Sequence, residues 1–311
     1  MPRQSVRAPK VGLLLSVAEE AAGGRWNELK AMARHAEAAG FDSLWIADHL
    51  VIPFPAQPAL GRWECWTILS ALAAVTSRVE LGTLVTCTSF RNPALLAKMA
   101  ATVEEISDGR LILGLGAGYY EPEFREFGFP FDHRMGRFEE ALRIIHGLLR
   151  SGGIDFEGQY YQARNCELRP RGPRSKGPPI LIGAQADRPR SLRSTAQYAD
   201  YWNMFIGTND EDFTVVHKAV DEACIKAGRD PATLHRTASA MIDLPGSEKS
   251  PAAVQAYRSS RALTAGTPEV LGERLRALAG AGIGHVQLWL EPNTRAGIDA
   301  FLPVLDLLAR Q

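Results

Sequence analysis

The stretch LILGLGAGYYEPE, residues 111–123, sets glycine at every second position behind an apolar run and then turns aromatic and acidic. A dinucleotide-binding loop needs GxGxxG directly after the first strand of a βαβ unit, opening a helix, with an acidic residue about twenty positions on. Here the pattern is GxGxG, it follows the fourth apolar run of the chain, and it continues into Tyr119-Tyr120-Glu121-Pro122. A phosphate loop is excluded at this position. Alternating glycines on a strand leave one face bare, which lets a barrel close or lets a flat group lie against the backbone.

Outward from that run, short apolar segments alternate with segments of helical period. VGLLLS (11–16), SLWIAD (43–48), VELGTLVT (79–86) and RLILGLG (110–116) read as four strands, and PILIG (179–183), DYWNMF (200–205), TASAMIDL (237–244) and HVQLWL (285–290) as four more. The seventh is the weakest pattern. Between them, Leu29, Met32, Ala33 and Ala36 share one helical face, as do Met135, Phe138, Leu142, Ile145 and Leu149. Asn92-Pro93 predicts a helix start and Ser107-Asp108-Gly109 its stop. Eight strand–helix units with near-continuously apolar strands predict an α/β fold, a (β/α)8 TIM barrel in one domain spanning 1–311. Two insertions interrupt it. Residues 151–178 read as a hairpin plus a Pro/Gly/basic loop, and 245–266 as a segment over one rim, where with 50–62 it would supply pocket walls.

Bulk properties exclude several classes of function. Lys plus Arg and Asp plus Glu number 35 each in 311 residues, so no overall field draws the chain to nucleic acid or to an anionic membrane. A small molecule is the expected partner. The cysteines at 65, 87, 166 and 224 form no CxxC pair, and no HxH or HExxH occurs, so no metal is expected. No apolar run approaches the ~20 residues of a membrane span, and VGLLLSV is too short for a signal h-region, which predicts a cytoplasmic protein.

FDSLWIADHL (41–50), the run from Leu81 to Gly128 that contains NPALLAKMAATVEEISDGRLILGLGAGYYEPEFREFG, RFEEALRIIHGLL (137–149), PPILIGA (178–184) and YADYWN (198–203) resemble the bacterial luciferase-like monooxygenase/oxidoreductase superfamily. The wording of the third and fourth units is similar to the branch that uses the deazaflavin coenzyme F420. The resemblance implies hydride transfer between F420 and a small organic substrate, with a flavin mononucleotide (FMN) monooxygenase as the alternative and a flavin-binding protein without turnover as a third class. It admits a homodimer. It also implies roles for particular residues. Asp48 and His49, which close strand two, become proton-transfer groups over the ring, His49 having the reference pKa nearest neutrality. Thr83, Leu84 and Thr86 become the prop for the ring, with a non-proline cis peptide at Thr83–Leu84. Gly116, Ala117, Gly118 and Tyr119 become the rim beside the ring, and Gly183, Ala184 and Gln185 the phosphate position ahead of a helix. The basic run Arg169, Arg171, Arg174 and Lys176 becomes a candidate for the coenzyme's acidic tail. Phe54, Trp63 and Trp66 hint at an aromatic mouth.

Overall fold

The structure is a computed structural model that describes residues 8–19, 24–54, 57–185, 187–206, 213–244 and 262–309. Eight parallel strands carry the architecture: β1 (Lys10–Leu15), β2 (Ser43–Ile46), β3 (Glu80–Thr83), β4 (Leu111–Gly116), β5 (Ile180–Gly183), β6 (Tyr201–Phe205), β7 (His235–Asp243) and β8 (His285–Glu291). Each pairs with the next, and β8 returns to β1 through Lys10↔His285 and Leu13↔Leu288, so the sheet closes into a barrel. Around it run α1 (Trp26–Ala38), α2 (Cys65–Val75), α3 (Pro93–Ile106), α4 (Arg134–Ser151), α5 (Pro189–Tyr198), α6 (Phe213–Lys226), α7 (Pro268–Gly280) and α8 (Arg295–Ala309). α3 starts where the sequence signals it, with the Asn92 side chain accepting from the amides of Ala94 and Leu95 at 2.9 and 3.2 Å.

Two apolar clusters divide the barrel wall. The larger joins outward strand residues to the helices, and a small inner one consists of Trp45, Ile112 and Leu181 with Leu14, Leu84, Val85 and Tyr201 against it. Trp45 fills the barrel because its neighbours are small: a Cβ at Gly12 would stand 2.5 Å from its Nε1, and one at Gly82 would collide with its ring. The Trp45 indole donates to Ser43 Oγ at 2.7 Å, and Ser43 Oγ lies 2.7 Å from His285 Nε2. The Ser43 hydroxyl thus keeps its own proton to give to an unprotonated imidazole.

Burial and the nearby Lys10 ammonium pull His285 down to about 3. Between about 3 and the ordinary 6.5 the unfolded chain binds a proton here that the folded chain refuses, so stability must fall as pH drops through this window. Urea midpoints of the parent protein and of His285→Gln, measured across that range, should differ by one proton's slope. Parallel curves would contradict the assignment.

The seventh strand is weak in sequence because its inward residues are polar. Asn203 Nδ2 donates to Thr237 Oγ1 at 2.9 Å and to Gln287 Oε1 at 2.8 Å, and Ser239 Oγ donates to Asn203 Oδ1 at 3.3 Å. A buried hydrogen-bonded network takes the place of apolar alternation. In the first insertion, Gly153–Glu157 and Gln162–Glu167 form an antiparallel hairpin. Of the second, residues 245–261 lie outside the described residues, and Ala262–Ala265 pairs parallel with β7.

The basic loop after the hairpin is a correction to the sequence reading. Arg174 pairs with Glu104, which is buried on α3, and its Nη2 also donates to the carbonyl of Leu111, the first residue of β4, at 2.5 Å. Arg171 Nη2 donates to the carbonyls of Leu149 and Ser175 at 2.6 Å. The loop therefore closes the N-terminal end of the barrel, away from the strand ends where a cofactor tail would pass. The guanidinium groups of Arg171 and Arg174 are spent on backbone carbonyls and Glu104, and exposed Arg169 pairs with Glu167.

Candidate active site

At the C-terminal ends of the strands lies an open cleft of about 910 Å³, walled by residues from the ends of β2 through β7. The glycines of the opening stretch explain how its floor is built. The Thr83 side chain bonds both backbone groups of Gly114, donating to the carbonyl at 2.8 Å and accepting from the amide at 3.0 Å, and a Cβ on Gly114 would strike the Thr83 carbonyl. Gly118 has φ +71°, and a Cβ there would lie 2.6 Å from Cys87 Sγ. Bare backbone lets β4 lie against the chain that leaves β3.

That chain bulges one residue later than the sequence suggests. Thr83 still pairs with Ile46, and the Leu84 amide still donates to the Ile46 carbonyl at 2.9 Å, so the ladder holds through residue 84. The non-proline cis bond is Leu84–Val85, not Thr83–Leu84. Two expected cofactor residues turn away from the cleft. Thr83 is fully buried against β4, and buried Thr86 accepts from Trp66 Nε1 at 3.2 Å, so neither lines the cleft. Leu84 and Val85 present the wall instead.

Asp48 and His49 both reach the cleft, but their surroundings differ. Asp48 is buried, takes a bidentate pair from Arg91 at 2.6 and 3.0 Å, and accepts from the Cys87 amide at 3.0 Å. Burial pushes its carboxyl upward, with the Arg91 guanidinium pulling against it. Its oxygens accept from Arg91 and the Cys87 amide, which ties the end of β2 to the chain that follows β3. Arg91 also pairs with Glu64. Cys87, on the same wall, is pushed by burial up to about 12, so it remains a thiol.

His49 Nδ1 lies 3.0 Å from Glu123 Oε2, and Glu123 Oε1 accepts from the amides of Leu50 and Val51 at 2.7 and 3.0 Å. A carboxylate can only accept, so Nδ1 carries a proton and donates it to Glu123. Nε2 is then the nitrogen left for chemistry. Tyr119 covers it edge-on, ring centroids 5.5 Å apart, with the hydroxyl 3.5 Å from Nε2. Glu123 sits in the quoted EPEF, but only the fold brings it 74 residues along the chain to His49.

Gly116, Ala117 and Gly118 continue the lining from Tyr119, and Gly183, Ala184 and Gln185 turn from β5 toward α5. Trp202 is buried and donates to the Ala184 carbonyl at 2.8 Å, which fixes that turn. α5 opens with Pro189 at its first turn and no side chain capping its amides. Its N-terminus, with Arg188 and Arg190, faces the cleft. Such an end attracts anions. Trp66 is buried in the core, Trp63 is exposed with its indole bonded to the Gly24 carbonyl, and the Phe54 side chain lies outside the described residues. Among the described residues no group of three His, Cys, Asp or Glu could hold a metal ion, and no helix is long and apolar enough to cross a membrane.

The family model for luciferase-like monooxygenase matches residues 10–250. Over 213 residues the chain is 35% identical to the phthiodiolone/phenolphthiodiolone dimycocerosates ketoreductase of Mycobacterium tuberculosis, covering 63% of this chain and 55% of the relative. It is 30% identical over 205 residues to the 5,10-methylenetetrahydromethanopterin reductase of Archaeoglobus fulgidus, covering 66% and 57%. The match thus spans little more than half the length of these curated relatives. Among solved structures, an F420-dependent secondary alcohol dehydrogenase in complex with an F420-acetone adduct superposes with TM-score 0.81 at 21% identity, over 97% of this chain and 99% of that one. A riboflavin lyase with modified FMN and riboflavin superposes with TM-score 0.76 at 15% identity, over 96% and 92%. With the closed barrel and the family match over most of its length, the chain belongs to the luciferase-like monooxygenase family of oxidoreductases.

Proposed function

We propose that this protein moves a hydride between the deazaflavin coenzyme F420 and a carbonyl or alcohol substrate, with His49 transferring the accompanying proton. The observation that carries the reading is the Glu123–His49–Tyr119 array at the mouth of the cleft, which leaves one imidazole nitrogen for proton transfer. Reduction of a carbonyl needs a hydride on carbon and a proton on oxygen, and the reverse direction returns both.

The residues fit such a cofactor. The cleft is of the size that ligand sites usually have, the uncapped start of α5 offers amides to a phosphate, and a Cβ added to Gly183 would come no nearer than 3.9 Å to protein atoms, so that backbone faces open space. Bound there, the deazaflavin would supply the hydride-carrying ring. Leu84 and Val85 would back it, the amides of α5 would hold its phosphate beside Arg188 and Arg190, which already pair with Asp187 and Glu139, and Asp48 with Arg91 would keep the end of β2 in place. The ketoreductase name of the mycobacterial relative favours carbonyl exchange. A second reading, an FMN monooxygenase using the same phosphate position, draws on the FMN-bound lyase and on a pyrimidine monooxygenase of Methylobacterium radiotolerans that is 34% identical over 207 residues.

Quenching of tryptophan fluorescence by F420 and by FMN tests the choice, and Gly183→Val tests the anchor. The valine should weaken cofactor binding about tenfold or more while the melting curve stays put, because its side chain meets the ligand and not the protein. Unchanged affinity would move the phosphate elsewhere.

A further inference from the structure

Tyr119 lines the cleft with 64% of its surface exposed, yet the backbone that carries it is braced. Gly118, with φ +71°, turns the chain out of β4, and its carbonyl, in the peptide that leads into Tyr119, accepts from Arg134 Nη1 at 2.6 Å. Arg134 opens α4, and its guanidinium lies 4.4 Å above the centre of the Phe131 ring. The phenol is thus presented from a fixed point. Its ring meets His49 edge-on at 81°, with the hydroxyl oxygen 3.5 Å from Nε2.

An imidazole nitrogen has one in-plane direction for a hydrogen bond. Glu123 fills that of Nδ1 and the Tyr119 hydroxyl takes that of Nε2, so a substrate oxygen in the cleft meets the phenol before it meets the imidazole. The His49 side chain is only 17% exposed. A hydroxyl donates and accepts at once, which a relay requires. The 3.5 Å separation is long for a hydrogen bond, and catalytic contacts of this kind tighten when substrate binds. A phenol is a weaker acid than an imidazolium by roughly 3.5 pKa units, so a standing phenolate is unfavourable and both protons must move together. Positive charge close by favours that passage: the Arg62 guanidinium interacts electrostatically with both Tyr119 and Glu123.

The geometry points to Tyr119 as a further catalytic residue, which exchanges the proton with the substrate oxygen while His49 exchanges it with Tyr119. The inference rests on the proposed carbonyl chemistry. As the carbonyl carbon accepts a hydride from the reduced deazaflavin, which is thereby oxidised, the π pair moves to oxygen and takes the phenol proton, and the phenol oxygen takes the Nε2 proton of the doubly protonated ring. His49 is left neutral with its Nδ1 proton on Glu123, and water restores the other. Alcohol oxidation runs the same transfers backwards.

Tyr119→Phe keeps the ring and removes the hydroxyl, and its melting curve serves as the folding control. In the cofactor-free, isotope-labelled chain, the His49 Nε2 resonance, identified by its loss in His49→Ala, should shift in this variant while those of the other histidines hold still. With reduced F420 and the fastest ketone of an aliphatic and aromatic panel, the single-turnover rate should fall about 10²–10³-fold with KM within about threefold of wild type. Plotted against the deuterium fraction of the solvent, that rate should bow in wild type, where two protons are in flight, and run straight in Tyr119→Phe. An unmoved Nε2 resonance, a straight plot in wild type, or a rate kept in Tyr119→Phe and lost only in Tyr119→Ala, as a ring that shields His49 from water would give, would overturn the relay. Should no ketone reoxidise reduced F420 while the Nε2 resonance moves, the hydride reading falls and Tyr119 stays assigned as the proton partner of His49.

Discussion

His49→Ala should lower turnover about 10²–10⁴-fold while cofactor affinity stays within a small factor, because a proton donor acts in the transition state and contributes little to the bound ground state. Glu123 sharpens the test. In Glu123→Gln the Oε1 position can still accept from Leu50 and Val51, but an amide NH₂ then opposes His49 Nδ1, and the ring must flip its tautomer to regain a bond. That variant should keep its fold and its KM and lose kcat. Steady-state kinetics alongside fluorescence titration separates the terms. Turnover within a small factor of wild type in His49→Ala would remove His49 from the chemistry.

The second large effect lies beside it. Arg91→Met strips the bidentate partner from Asp48 and leaves a buried carboxylate with the Cys87 amide, so it should destabilise the protein by about 3–5 kcal/mol in urea unfolding. Adding Asp48→Asn should recover part of the loss, since the double variant buries no charge at that point. The cycle decides between a positioning and an acid/base role for Asp48: a structural pair gives strong coupling in stability. Arg91→Met within about 1 kcal/mol of wild type would show that the ion pair is not what holds this corner.

The barrel was legible in the sequence because strands covered on both faces must be apolar along their whole length, as in Leu111–Leu115 and Ile180–Ile182. Where polar groups turn inward, as Thr237 and Ser239 do toward Asn203, the pattern fades although the strand, His235–Asp243, is long. Motif resemblance reached the right strand end at 83–86 but not the side-chain directions, since the Thr83 hydroxyl is held by the backbone of Gly114 and Thr86 by the Trp66 indole, contacts that no local pattern announces. Thr83 and Thr86 are buried away from the cleft, and Val85 lines it. The pairings Asp48–Arg91 and His49–Glu123 span 43 and 74 residues, and no local pattern announces them. The basic loop was misread for a different reason. A segment that leads from a helix back into a strand lies at the N-terminal face of such a barrel, so the position of Arg169–Lys176 ahead of β5 already placed it opposite the site.

The central claim, hydride exchange with F420 at a cleft whose proton is handled by His49, is tested most directly by anaerobic incubation of the protein with reduced F420 and a panel of ketones and oxo acids, following recovery of the oxidised deazaflavin's visible absorbance. The account predicts substrate-dependent reoxidation without oxygen, stoichiometric with alcohol formed and largely abolished in His49→Ala. Reoxidation that requires oxygen, or turnover supported by reduced FMN and not by reduced F420, would contradict it.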